Sequence, residues 1–364
     1  MLRRILSLTI VLAILVPGFW IQAQESTVSA APSLAAQADA RLSRYFKADQ
    51  PGVAILLMQD GKVLFKKGYG LADVNQKVPI QPEMVFHIGS ITKQFTAVAV
   101  MLLVEEGKVN LQAPISSYLE NLPKAWKEIT VEQLLNHTSG IPDYTDTKGY
   151  FKRYKEDITP NQILDYVNTM PLIFEPGTKY RYTNTGYALL GMLIEKLSGE
   201  SYAVFLKKYL FKPLDLKHTD YATESMPEAV LGYNSSGKPA IYESMTQPFS
   251  AGALVSNAED LARWTLALYN GKVVKPESLA RMLTPTRIKN GEEIPYGFGL
   301  AFRKSQGNLL VGHGGYISGF SCYLEADPAT KTVVVILHNT SEPKVDIKYF
   351  SEFLLLLAEG KPLF

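Results

Sequence analysis

Hydrophobic period changes at two points along this chain, and that limits the folds open to it more than any other feature. Residues 52–70 alternate through Val53-Ala54-Ile55-Leu56-Leu57 and Lys62-Val63-Leu64-Phe65, with Asp60-Gly61 between the runs, the pattern of a β-hairpin. From about 95 to 270 the period is mainly helical. Phe95 through Val104 is apolar nearly all round, as in a helix buried on most sides, and Gly107 is its stop. Leu189, Leu190, Leu193, Ile194 and Leu197 form one stripe ending at Gly199, and Ser256-Asn257-Ala258-Glu259 reads as a capping box opening Leu261–Leu268. Strand character returns at Tyr296–Phe302, Leu309–Val311, Phe320–Leu324 and Thr332–Leu337, and Val345–Ala358 closes the chain as an amphipathic helix. Strands early, helices in the middle and strands late predict a mixed α/β fold of the α+β type. One antiparallel sheet is built from both ends and flanked by helices, with a mostly helical second lobe inserted. The expected boundaries are a sheet lobe at about 33–95 and 245–364 and a helical lobe at about 96–244, with no internal repeat.

The first residues stand apart from this pattern. Arg3-Arg4, an apolar core from Ile5 to Val16, Pro17-Gly18 and a cleavage site at Ile21-Gln22-Ala23 predict a signal peptide over 1–23, leaving 24–364 as the catalytic domain. The apolar core is short for a bilayer span and no later stretch is long enough, so export to a periplasm or the medium is expected, without stable membrane insertion. Cys322 is the only cysteine in 364 residues, so no internal disulfide is available and the core must hold the fold, for which the length suffices. A net charge of +2 without a basic block gives nothing with which to grip nucleic acid or an anionic membrane. The 20 tyrosines often flank Gly, Pro or Asn in loops, where they line a cleft or sit half-buried at loop edges.

Three short segments carry chemistry. Ser90-Ile91-Thr92-Lys93 opens the buried helix, so serine and lysine share a face one turn apart. A serine hydroxyl is a poor nucleophile until a base takes its proton, and a desolvated lysine has a pKa low enough to serve. Two other Ser-x-x-Lys matches lack this context: Ser235–Lys238 sits in a turn sequence and Ser341–Lys344 contains Pro343. The second segment, Tyr180 to Tyr187, is a polar aromatic loop before a helix. Here Tyr182 is a candidate proton relay, as a phenolate stabilised by the ammonium, and Asn184 a candidate to hold a substrate amide and bond Lys93. The third is Gly312-His313-Gly314-Gly315-Tyr316, whose glycines suit close approach of a ligand or another backbone. A backbone N–H from this segment, paired with that of Ser90, makes a two-donor oxyanion hole. Each segment also has a plain structural reading: a serine helix cap with a solvated lysine, a turn with its cap, and a Gly-rich hairpin with a surface histidine. His137, in Leu134-Leu135-Asn136-His137-Thr138-Ser139-Gly140, reads as a hydrogen-bonded structural histidine at a helix end. No His-Glu-x-x-His or comparable ligand spacing occurs, so no metal centre is expected.

Taken together, Ser90–Lys93, the segment Leu134–Pro142, Tyr182-Thr183-Asn184, Ser250–Trp264 and His313-Gly314-Gly315 resemble, in order and spacing, the serine β-lactamase and penicillin-binding protein superfamily. The resemblance is closest to its class C-like branch, which also holds D-Ala-D-Ala carboxypeptidases, D-aminopeptidases and family VIII-type esterases. It implies the β-lactamase/transpeptidase-like fold and catalysis through an acyl-enzyme without a cofactor. It further implies Ser90 as the acylated nucleophile, Lys93 and Tyr182 as its proton handlers, and Asn184 as a contact to substrate and Lys93. His313 then begins the third motif, with Gly314 and Gly315, and the N–H groups of Ser90 and Tyr316 are the oxyanion donors. Where class C β-lactamases carry Lys-Thr-Gly this chain has His313-Gly314-Gly315, which removes a fixed cation and a hydroxyl from the substrate carboxylate; Arg303 is a candidate replacement. The expected partner is a small-molecule, ester or peptide substrate, such as a peptidoglycan-derived D-amino-acid peptide. A class C-like β-lactamase and a penicillin- or peptidoglycan-binding module with little or no turnover are the alternatives.

Overall fold

Asp60-Gly61 joins two antiparallel strands, β1 (Val53–Gln59) and β2 (Lys62–Tyr69), as the two-residue turn predicts. The computed structural model describes residues 32–222, 230–341, 343 and 345–361. The predicted signal peptide lies outside the described residues. From the far end of the chain come β3 (Ala301–Ser305), β4 (Asn308–Ile317), β5 (Phe320–Asp327) and β6 (Thr332–His338). The six strands form one sheet in the order β3-β4-β5-β6-β1-β2, with every neighbouring pair antiparallel. The two chain ends meet where β1 pairs β6, from Val53 opposite His338 to Gln59 opposite Thr332.

The sheet is covered on both faces, which is why β1 and β6 are apolar without interruption. Ile55, Leu57, Val334 and Ile336 point to one side, against α1 (Leu34–Leu42) and the C-terminal helix Ile347–Ala358. Ala54, Leu56, Val333, Val335 and Leu337 point to the other, into the larger core shared with the inserted helices. At the centre of that insert lies α2 (Thr92–Glu105), whose residues Thr92–Met101 are all buried, as its unbroken apolar sequence requires. Phe95 stacks on Trp264 with ring centroids 4.0 Å apart, and Trp264 Nε1 donates to Gln94 Oε1 at 3.1 Å. Beside it runs α3 (Asn184–Ser198), closed by Gly199. No helix among the described residues is long and apolar enough to cross a membrane.

Three local expectations need correction. Ser256 does not cap α4 (Ala258–Tyr269). It ends the short strand Leu254–Ser256, paired with Phe86–His87, and the cap is Asn257, whose side chain accepts from Asp260 N at 2.8 Å. The strand expected at Tyr296–Phe302 begins only at Ala301, because Gly299 adopts φ +69° where a Cβ would meet Lys93 O at 2.6 Å. The segment before it therefore folds against the start of α2. The strand expected at Leu309–Val311 instead continues through the glycines to Ile317.

Candidate active site

Ser90 lies in a single 3-10 turn, Gly89–Ile91, that runs directly into α2 and places Lys93 one turn on. That turn packs against the end of β4 that β3 leaves uncovered, since β3 pairs only residues 308–312. The approach is backbone on backbone. A Cβ on Gly315 would sit 2.0 Å from Ile88 O, and one on Gly89 would sit 2.8 Å from Tyr316 N. The glycines of the third segment thus admit another backbone.

Lys93 is fully buried, and its Nζ touches Ser90 Oγ at 3.0 Å, Asn184 Oδ1 at 2.8 Å and Ala251 O at 2.8 Å. It also lies over the rings of Tyr182 and Tyr187, 4.7 and 5.4 Å from their centroids. Burial pulls its pKa from the ordinary 10.5 down to about 7, against the nearby Asp143 carboxylate, which favours the ammonium. The three contacts then have a definite meaning. Asn184 Oδ1 and Ala251 O are acceptors only, so a neutral amine spends its two N–H bonds on them and turns its lone pair to Ser90 Oγ–H. A protonated amine donates to all three. Either state is satisfied, and the difference between them is the serine proton.

Asn184 is the first residue of α3, and its orientation is fixed by Asp143. Asp143 Oδ2 accepts from Asn184 N at 2.8 Å and from Asn184 Nδ2 at 3.0 Å, which leaves Oδ1 for Lys93. Asp143 Oδ1 is held in turn by Thr145 N and Oγ1, both at 2.9 Å. Tyr182 is half-buried, with its hydroxyl sealed from solvent and without a hydrogen-bond partner; burial drives its pKa well above 10, against a smaller lowering by the neighbouring Ser90. The expectation of a phenolate is therefore overturned: the ammonium faces the ring rather than the oxygen, and desolvation decides in favour of the neutral phenol. Beneath it lies His137, at φ +61°, its ring tilted 37° to that of Tyr182 with centroids 4.3 Å apart. His137 Nδ1 accepts from Thr183 N at 3.2 Å and its carbonyl accepts from Arg181 N at 3.0 Å, so it pins both neighbours of Tyr182. Burial and Lys93 hold its imidazole neutral.

His313 lies on β4 across from this cluster, with its ring centroid 6.0 Å from that of Tyr182. Its Nδ1 contacts Gly314 O at 2.6 Å, which only a donor can do, so Nε2 accepts from Tyr296 Oη at 2.9 Å. Burial lowers its pKa to about 4, and the histidine is a neutral group at pH 7. Gly315 and Tyr316 follow along the strand; the Tyr316 side chain is exposed while its backbone abuts Gly89. Arg303 does not replace the missing cation. On β3 it faces the C-terminal helix, pairing with Glu352 there at 3.3 Å, and its Nε and Nη2 donate to Glu325 at 2.6 and 2.7 Å, behind the sheet from Ser90. Among the described residues no group of three or more His, Cys, Asp or Glu is arranged to hold a metal ion.

The predicted residues Ser90, Lys93, Tyr182 and Asn184 thus meet at one point, with His313, Gly314, Gly315 and Tyr316 along one wall. Sequence reasoning missed Asp143, Tyr296 and the part played by His137. Asp143 directly follows the quoted Leu134–Pro142 segment, the only cue to it in the chain.

With this geometry in view, the Beta-lactamase family model matches residues 34–357. A penicillin-binding protein of Bacillus subtilis (strain 168) is 30% identical over 313 residues, covering 79% of this chain and 68% of that protein. A D-aminopeptidase of Gluconobacter oxydans (strain 621H) is 29% identical over 309 residues, covering 81% of this chain and 57% of the relative, so the chain spans little more than half its length. Among solved structures, the octameric penicillin-binding protein homologue from Pyrococcus abyssi superposes with a TM-score of 0.75 at 30% identity, over 89% of this chain and 76% of that one. D-amino acid amidase from Ochrobactrum anthropi SV3, complexed with L-phenylalanine, superposes with a TM-score of 0.76 at 26% identity, over 90% and 97%.

Proposed function

Since the chain belongs to the β-lactamase family, we propose that it is a serine hydrolase that forms an acyl-enzyme on Ser90 from D-amino-acid amides and peptides or small esters. The observation that carries this reading is the lone pair of Lys93, aimed at Ser90 Oγ–H by two acceptor-only oxygens and made available near neutral pH by burial. In acylation Ser90 Oγ bonds to the substrate carbonyl carbon as its proton passes to Lys93 Nζ. The backbone N–H groups of Ser90 and Tyr316 receive the oxyanion, the first of them at the positive end of the 3-10 turn and α2. Tyr182, kept as a phenol, donates a hydrogen bond to the departing group, to which Lys93 returns the proton on collapse; in deacylation neutral Lys93 takes a proton from the attacking water and hands it to Ser90 Oγ as the ester breaks. Water hydrolyses the ester by the same steps reversed. The D-amino-acid preference is supported by the D-aminopeptidase and D-amino acid amidase relatives.

The penicillin-binding relatives favour a second reading, β-lactam acylation. The neutral His313 and the sequestered Arg303 weigh against it, because neither supplies a free cation for the lactam carboxylate. The test is a panel of p-nitrophenyl esters, D-amino-acid anilides and nitrocefin with wild type and Ser90→Ala. Turnover of esters and anilides, and fluorophosphonate labelling, should vanish in the variant. Hydrolysis that survives Ser90→Ala would sink the nucleophile assignment, and rapid nitrocefin turnover would favour the second reading. Export through a cleaved leader over residues 1–23 belongs to the same proposal, supported by the Arg3-Arg4 and Ile5–Val16 pattern. N-terminal sequencing of the mature protein tests it: a protein that retains Met1 would refute cleavage.

A further inference from the structure

A cavity of about 590 Å³ adjoins the segments that carry Ser90 and Tyr316, with neither residue in its lining. Its lining includes His87, three residues before Ser90, and Ser318, two residues after Tyr316, with Val230, Met245 and Phe320 as apolar wall. Glu243 and Asp157 are the acidic residues of the lining. No lining residue is Lys or Arg, and burial lowers the His87 pKa to about 4. His87 Nδ1 is buried with no hydrogen-bond partner. Glu243 is itself buried, and its carboxylate is met by the Tyr150 and Tyr154 hydroxyls and by Ser318 N at 3.5 Å, with no cation among the described residues. A buried carboxylate stabilised only by neutral donors is costly, and a cation that reaches it recovers much of that cost. Burial accordingly pushes its carboxyl pKa up.

The charge pattern around Ser90 is therefore one-sided. Lys93 is committed to the serine, His313 is neutral, and Arg303 lies behind the sheet, so none of these three offers the substrate a free cation. Two residues of extended chain from Tyr316 to Ser318 span about 7 Å, and the 3.5 Å contact from Ser318 N then sets Glu243 within about 10 Å of Tyr316 N. An oxyanion about 3 Å from Tyr316 N and a group about 3 Å from Glu243, both lying between the two, are about 4 Å apart at closest, within the reach of the reacting residue or of one residue of peptide added to it.

We propose that Glu243 anchors a primary ammonium group on the acyl half of the substrate. The cavity then selects amides, peptides or esters whose reacting residue, or the residue preceding it, has a free amine beside an apolar group. This rests on the reading of Ser90 as nucleophile and gives that site the polarity of an aminopeptidase or amidase rather than a carboxypeptidase.

The test uses D-phenylalanyl and glycyl-D-phenylalanyl p-nitroanilides, each with its amine free and N-acetylated. In wild type, kcat/KM for at least one free amine should exceed that of its acetylated twin by tenfold or more. In Glu243→Gln, which keeps the shape, that ratio should fall towards one through KM. As a measurement independent of how the variant folds, benzylamine and benzyl alcohol are also compared as inhibitors of wild-type p-nitrophenyl butyrate hydrolysis, where only the amine should compete. A wild-type ratio of one or less, an unchanged ratio in folded Glu243→Gln, or no competition by benzylamine overturns the proposal. If hydrolysis persists in Ser90→Ala, the nucleophile reading has failed; if it depends on Ser90 yet ignores the amine, only the role of Glu243 has.

Discussion

Replacing Asp143 by Asn should move the pH at which this protein becomes active without dismantling its site. Asp143 Oδ2 receives both Asn184 N and Nδ2, and Asn184 Oδ1 receives Lys93 Nζ at 2.8 Å. An asparagine at 143 presents its one oxygen to both Asn184 donors and gives up the bond from Thr145 N, so the amide of Asn184 keeps its orientation while one negative charge is lost. The amide between them is about 2.3 Å wide, which sets the carboxylate roughly 8 Å from Nζ. At an effective dielectric constant of about 20, charges at that separation interact by ~2 kcal/mol, or roughly 1.5 pKa units. The carboxylate favours the ammonium, so its removal lowers the Lys93 pKa from about 7 towards roughly 5.5. Because the neutral amine is the working base, the acid limb of kcat/KM shifts to lower pH by about 1 to 1.5 units. The assay is a pH–rate profile with a neutral p-nitrophenyl ester from pH 4.5 to 9, in wild type and Asp143→Asn. An acid limb that stays in place or moves to higher pH refutes the assignment of that limb to Lys93.

Two further substitutions test the scaffold. Gly315→Ala forces a Cβ to within 2.0 Å of Ile88 O, and should cost at least ~2 kcal/mol in denaturant unfolding while lowering kcat, since the strand and the serine turn must part. Retained stability and activity would show that the two backbones are not in register. Arg303→Met leaves Glu325, which is 2% exposed, without its cation, and should destabilise by about 3–5 kcal/mol while esterase kcat per folded molecule holds. A selective loss of kcat at full stability would return Arg303 to the substrate side.

The parts of this molecule that were legible in its sequence are those that local period encodes. The hairpin around Asp60-Gly61, the all-round apolar α2 and the stripe ending at Gly199 form as read, and the helix context singles out Ser90–Lys93 from its two look-alikes. What stayed hidden depends on contacts between distant segments. Asp143 and Tyr296 sit in irregular chain whose local chemistry is that of any turn, and they acquire meaning only when Asn184 and His313 arrive beside them. Ser256 failed as a cap because strand pairing with Phe86 claimed it first, a competition that a four-residue pattern does not register. The Tyr182 phenolate failed because electrostatic reasoning from a neighbouring ammonium left out how completely the hydroxyl is cut off from water.

The pairing of β1 with β6 has a consequence for how the molecule comes into being. These strands are encoded near opposite ends of the chain, and β1 lies in the sheet interior. Until Thr332–His338 has left the ribosome, Val53–Gln59 presents one unmatched, strongly apolar edge. The sheet therefore closes only after Thr332–His338 has emerged, through contacts of very long sequence separation, which makes folding slow compared with that of the helical insert. Removing the last strand and helix trims no tail: it deprives the N-terminal hairpin of its neighbour and turns an enzyme into a chain with a sticky edge.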